Sequence, residues 1–180
     1  MNRLTIPTRT SAPAASQPLL DTVEKSLGVV PNLFRLVGHS PAALEGLLCL
    51  NGALSKALDA KTRERIALAV AEVNGCDYCL SAHTYLGLNL VKLDAAEIAA
   101  NRTGHSNDPK ADAAVAFAAT VAAERGRVSD ADLAAVRHAG FSEAQIVEII
   151  GLVAVNVYTN LINNVADTEI DFPIVRANAA

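Results

Sequence analysis

At 180 residues the chain has the length of one domain and enough residues to bury its own core. Hydrophobic residues make up 51% of it but aromatics only 4%, with no Trp, so Ala, Leu, Val and Ile must fill an interior suited to closely packed helices. A net charge of −4, with no basic block and no basic–aromatic interleaving, excludes the electrostatic footprint of a nucleic-acid binder or of an anionic-membrane binder.

Residues 1–17 are rich in Pro, Ser, Thr and Ala and read as an arm, extended or poorly ordered unless a neighbouring subunit holds it. They lack the apolar stretch of a secretory signal, and Pro7, Pro13 and Pro18 would break a targeting helix, so a cytoplasmic protein is expected. A helical domain is expected over 18–166. Leu19, Leu20, Val23 and Leu27 recur at helical spacing over 18–27, a helix closed by Gly28, and a second short helix follows over 32–37. Ser40-Pro41 pairs an N-cap with Pro at the first helical position and opens a helix to about residue 58, with Cys49 in its apolar, core-facing stretch. Ile66, Ala69, Val70 and Val73 repeat with the 3.6-residue period of a helix over 59–73. Asp94 and Glu97 resemble a capping box for a helix to about residue 101. Asp108-Pro109 starts an Ala-rich helix to about residue 125, and Ser129 caps another that ends at Gly140. Ser142 and Gln145 form a capping box for the longest helix, to about residue 166, leaving 167–180 as an extended tail. No run alternates with period two between turn pairs, so the fold class is all-α. The longest apolar runs fall short of the ~18 residues a membrane span needs, and no membrane association is expected.

The stretch 61–88 carries the chemistry. Asn74-Gly75 is a helix stop and restart, with Gly suited to the left-handed position after a helix end. A second helix would begin at Cys76, and at about 100° per residue Cys76, Cys79 and His83 fall on one face of it. Unpaired N–H groups and the positive end of the macrodipole favour an ionised thiol in that first turn. His83, one turn beyond Cys79, is placed to take the proton from its sulfur. A thiolate beside a base and a second thiol is the minimal apparatus for attack on a peroxide or disulfide, followed by disulfide closure. Three cysteines make no structural framework, and in a reducing compartment a Cys-x-x-Cys pair is redox-active or metal-binding. Zinc is the competing reading, with Cys76, Cys79 and His83 as ligands and Glu64 or Glu72 as a fourth, but no second Cys/His pair at finger spacing accompanies them. His39, His105 and His138 lie at helix ends or in a loop and join no site. Asn156, Asn160, Asn163 and Asn164 punctuate the apolar last helix, where they make a subunit contact or line a pocket, the structural reading being favoured.

The pattern Glu64, eleven residues, Cys76-Asp77-Tyr78-Cys79, three residues and His83 resembles the AhpD-like alkylhydroperoxidases of the carboxymuconolactone decarboxylase superfamily. Pro31-Asn32-Leu33-Phe34 and His39-Ser40-Pro41 are similar to their peroxidase-related branch. The resemblance implies an AhpD-like helical bundle, usually a homo-oligomeric trimer or hexamer, and a thiol-dependent peroxidase without haem, flavin or metal. It implies Cys79 as the attacking thiolate, Cys76 as the resolving thiol, and Glu64 with His83 as the proton relay. The substrate would be a small hydroperoxide, and the electron donor an external dithiol such as a lipoyl group or a small redox protein. One position departs from the pattern: Tyr78 stands where the founding members carry a relay histidine. The alternatives are a decarboxylase of the same superfamily, whose members generally do not rely on a cysteine pair, and a metal-binding or structural helical oligomer.

Overall fold

The computed structural model describes residues 3–178, and among these every regular element is an α-helix. In chain order they are α1 (Gln17–Leu27), α2 (Asn32–Val37), α3 (Pro41–Leu54), α4 (Ala60–Val73), α5 (Asp77–Asn89), α6 (Ala95–Arg102), α7 (Pro109–Ala123), α8 (Asp130–His138) and α9 (Glu143–Ala166). The starts at Ser40, Asp94, Asp108, Ser129 and Ser142 follow the side chains expected to make them, and Asp59, expected inside its helix, caps it instead; each accepts a hydrogen bond from the first turn of the helix it precedes. Each such cap contributes about 1 kcal/mol. Ser129 and Ser142 are the two full capping boxes, with Asp132 and Gln145 returning the bond. The helix after Pro41 is shorter than its pattern suggests and ends at Leu54.

α4 is the axle of the bundle, with α5, α6, α7 and α9 packed around it. Its run from Arg65 to Ala71 is buried on every side, as expected of a helix surrounded by others. Small residues on α7, including Ala114 and Ala118, allow close approach to Ile66 and Val70, and α8 and α9 complete this core with Val136, Ile149 and Leu152. A second core holds Leu68, Ala71, Cys76, Tyr78, Cys79 and Leu80. A third joins Leu20, Val37, Leu44 and Leu47 of the first three helices to Val155 of α9. Burial of each large aliphatic side chain contributes about 1.5–3 kcal/mol. By length and composition α9 could cross a bilayer. Here Ile146, Ile149, Leu152 and Val153 on it are core residues.

Over the described residues the arm differs from the loose segment expected, whereas the tail is non-helical, as an extended tail would be. Residues of the arm lie on the body: Arg35 donates to the Pro7 carbonyl at 2.9 Å, and the Arg3 N–H to the Ala166 carbonyl at 2.7 Å. The tail beyond α9 is non-helical but tied down across α5. Asp171 accepts from the Tyr78 hydroxyl at 2.8 Å and from the Asn32 N–H at 2.8 Å. The Val175 N–H and the Ser81 hydroxyl bond at 2.9 Å, and Arg176 pairs with Asp77 at 2.6 Å. Phe172 packs edge-on against Tyr78, with 5.9 Å between ring centroids.

Candidate functional site

The site is made by the turn between α4 and α5. Gly75 adopts φ +58°, the left-handed conformation that follows a helix end. The Gly75 N–H then bonds to the Glu72 carbonyl (3.0 Å) and the Cys76 N–H to the Ala71 carbonyl (2.9 Å), the paired closure of a Schellman motif. Cys76 is therefore both the last residue of that motif and the N-cap of α5, one position earlier in role than the first-turn placement expected from sequence. Its sulfur accepts the Cys79 N–H at 3.4 Å. Two asparagines of α9 brace the turn from outside: Asn74 donates to Asn160 Oδ1 at 2.9 Å, and Asn164 donates to the Asn74 carbonyl at 2.9 Å.

Cys79, in the first turn of α5, is 3% exposed, and Cys76 is fully buried beside it. Asn163 Nδ2 donates to the Cys79 sulfur at 3.3 Å. The Cys76 thiol also donates to that sulfur, and this bond is the leading reason that the Cys79 thiol is held down to about 6 against the opposing effect of burial. His83, Asn163 and Asn160 add to the same shift. The same bond, together with burial, drives the Cys76 thiol far above its ordinary range. Both shifts favour ionisation at Cys79 over Cys76.

His83 Nδ1 lies 2.8 Å from Glu64 Oε2, across the α4–α5 turn. Burial pulls the imidazole down, but the Glu64 carboxylate outweighs it and the neighbouring sulfur adds to the rise, so His83 titrates above its ordinary value. An imidazolium is therefore favoured beside the thiolate, oriented by a carboxylate. The structure brings together all four sequence-predicted residues, Glu64, Cys76, Cys79 and His83. Tyr78 points away from this chemistry: its hydroxyl accepts the Leu33 N–H at 3.1 Å and donates to Asp171, and burial leads the causes that keep the phenol neutral.

Other residues sort differently from expectation. Cys49 is exposed rather than buried in the core, because α3 turns that face outward. Glu72 accepts from Arg102 at 2.6 Å and from the Asn178 N–H at 2.7 Å, which ties the tail to α4 rather than serving the sulfurs. Among the described residues no three Cys, His, Asp or Glu side chains converge as metal ligands. Asn163, whose amide contacts the Cys79 sulfur, was hidden among residues read as structural. Asn156, Asn160 and Asn163 share one face of α9, and that polar stripe on an apolar helix was the available signal.

The carboxymuconolactone decarboxylase family model matches residues 41–120, which contain Glu64, both site cysteines and His83. Among solved structures, the chain resembles an alkylhydroperoxidase AhpD core, an uncharacterized peroxidase-related protein from Ralstonia eutropha JMP134. That match has 26% identity and a TM-score of 0.82, over 94% of this chain and 92% of that one. A second peroxidase-related protein, from Silicibacter sp. TM1040, matches with TM-score 0.78 at 22% identity, covering 93% of this chain and 91% of that one. The debrominase Bmp8, solved with 2,3,4-tribromopyrrole, shares the fold at 20% identity with TM-score 0.78, over 93% of this chain and 90% of that one. A sequence search of curated proteins returns no match. The segment 41–120 thus matches the carboxymuconolactone decarboxylase family, and the helical architecture around it is AhpD-like.

Proposed function

We propose that the protein is a thiol-dependent peroxidase whose Cys79 and Cys76 cycle between dithiol and disulfide. The observation that carries this reading is the setting of the Cys79 sulfur: buried, but accepting from Asn163 and next to the Cys76 sulfur and a carboxylate-held imidazole, neighbours that all favour its thiolate. Cys79 attacks the hydroperoxide, a sulfur–oxygen bond forms as the oxygen–oxygen bond breaks, and the leaving oxygen takes the proton held on His83. Cys76 then attacks the Cys79 sulfenic acid and releases water. Glu64 holds the imidazole in register throughout. An external dithiol, a lipoyl group or a small redox protein, returns the disulfide to thiols, with no bound cofactor. Val147, Ile150, Tyr158, Leu161 and Val165 form an exposed apolar stripe along α9 that supports assembly as a homo-oligomer, a trimer or hexamer, testable by light scattering.

The test is intact mass with thiol counting before and after one equivalent of tert-butyl hydroperoxide, on the parent and on Cys76→Ser and Cys79→Ser. The parent should lose two hydrogens and two of its three thiols. A sulfenic acid should be trapped in Cys76→Ser and not in Cys79→Ser. Persistence of all three thiols would end the redox reading and make bound zinc the next measurement.

A further inference from the structure

A cleft of about 240 Å³ opens beside the start of α5, between the α4–α5 turn, the end of α9 and the tail. Its wall includes Asp77, Asn163, Thr168 and Arg176, and Ile170 is its one aliphatic side chain. Two residues of this wall each carry a polar atom that is buried without a hydrogen-bond partner among the described residues: Asn163 Oδ1 and Thr168 Oγ1. Their residues are 3% and 7% exposed. They are neighbours at the end of α9, where the Thr168 N–H bonds to the Asn163 carbonyl at 3.1 Å. An orphaned buried acceptor or hydroxyl is costly, and such groups mark a place where something polar binds. Asn163 also touches the reacting atom, since its Nδ2 is the donor to Cys79 Sγ. One amide thus has its nitrogen on the thiolate and belongs to the wall of a polar cleft.

We infer that this cleft is the hydroperoxide subsite, and that it selects hydrogen peroxide or a short polar hydroperoxide over a fatty-acyl one. The inference rests on the peroxidase reading and names that site's substrate class. Asn163 Oδ1 accepts the O–H of the terminal oxygen, and Thr168 Oγ1 donates to the second oxygen. The thiolate then forms its bond to the terminal oxygen. The second oxygen leaves with the electron pair of the broken bond and takes the proton from His83, giving a sulfenic acid and water or an alcohol. The sulfur is oxidised by two electrons and the peroxide reduced by two, with no further reactant. A long acyl chain would find almost no apolar wall to cover it.

The experiment uses the full chain carrying Cys49→Ser, so that the exposed third thiol does not contribute. Rates of Cys79 oxidation are measured with hydrogen peroxide, tert-butyl hydroperoxide and linoleic acid hydroperoxide, alongside the pH midpoint of iodoacetamide alkylation. The parent should react faster with hydrogen peroxide than with the linoleic species. Thr168→Val, which keeps the shape and removes the hydroxyl, should slow the hydrogen peroxide reaction by about three- to tenfold, one hydrogen bond's worth, and leave the alkylation midpoint in place. Asn163→Ala should slow the reaction further and raise the midpoint. A Thr168→Val rate within twofold of a reactive parent, or a parent that prefers the linoleic species, overturns the subsite and leaves the peroxidase standing. A parent thiolate that alkylates but that no peroxide oxidises overturns both.

Discussion

Cys76→Ala in the Cys49→Ser background should move the ionisation of Cys79 by one to two pH units. The Cys76 thiol is the leading donor to the Cys79 sulfur, whose thiol titrates at about 6. A hydrogen bond to a charged acceptor contributes about 1.5–3 kcal/mol, and 1.36 kcal/mol corresponds to one pKa unit. Without that donor the midpoint should rise from about 6 to about 7–8, and the thiolate fraction at pH 7 should fall from roughly nine-tenths to between one-half and one-tenth. The remaining help from His83 and Asn163 keeps the thiol below that of an ordinary cysteine. The sign follows from the charged form being the stabilised one: reactivity climbs as pH rises through the midpoint, then levels off. The assay is the initial rate of iodoacetamide alkylation between pH 4.5 and 9.5, with the labelled site verified by peptide mass. Cys76→Ser retains a donor and should fall between the parent and the alanine variant. A Cys76→Ala midpoint within about 0.3 of the parent would refute the claim that the resolving thiol activates its neighbour.

Three further outcomes follow from the same structure. Glu97 is buried against Arg65 (2.6 Å), and despite the burial its bonds from Ser106, Asn101, the Asn107 N–H and Arg65 hold the carboxyl at about 2. Because its folded pKa is depressed, the stabilisation, of order 3 kcal/mol, is present above about pH 4.5 and drains away as pH falls toward 2. Glu97→Gln should cost about 3–5 kcal/mol in urea unfolding by stranding the Arg65 charge, and a loss below about 1 kcal/mol would show that the pair is dispensable. Tyr78→Phe removes the hydroxyl between the Leu33 N–H and Asp171, so it should cost about 1–3 kcal/mol and speed proteolysis of the tail while leaving the Cys79 alkylation midpoint unchanged. A shifted midpoint would instead make Tyr78 part of the thiol chemistry. Gly75→Ala places a side chain at φ +58° where its Cβ would meet nothing within 4 Å, so the cost, about 1–2 kcal/mol, is backbone strain alone. Unchanged stability in that variant would argue against a left-handed turn before Cys76.

Much of the bundle was readable because its signals are local. A cap acts within three residues and an apolar stripe within two turns, so Ser142 with Gln145, or Ile66 with Val70, declares its helix from sequence alone. The cysteine pair and His83 lie on one helix, so spacing suffices to bring them together. Glu64 comes from the preceding helix, and its 2.8 Å contact with His83 was supplied by the family pattern rather than by periodicity. Cys49 shows the limit of local reading, since an apolar neighbourhood in sequence says nothing of which helix covers it.

By itself, then, the sequence determined the helices, their order, and the Glu64–Cys76–Cys79–His83 constellation. Only the tertiary structure decided which donors reach each sulfur and so how differently the two thiols ionise. That difference comes first from the bond between the two cysteines, which lowers Cys79 and raises Cys76, and then from His83 and from Asn163, a donor 84 positions away along the chain, with burial opposing ionisation of both. Tertiary contacts likewise turned Tyr78 toward Asp171, 93 positions away, and laid the tail across α5. Spacing along a helix is set by backbone geometry, whereas pKa and access are set by whatever the rest of the chain brings within a few ångströms.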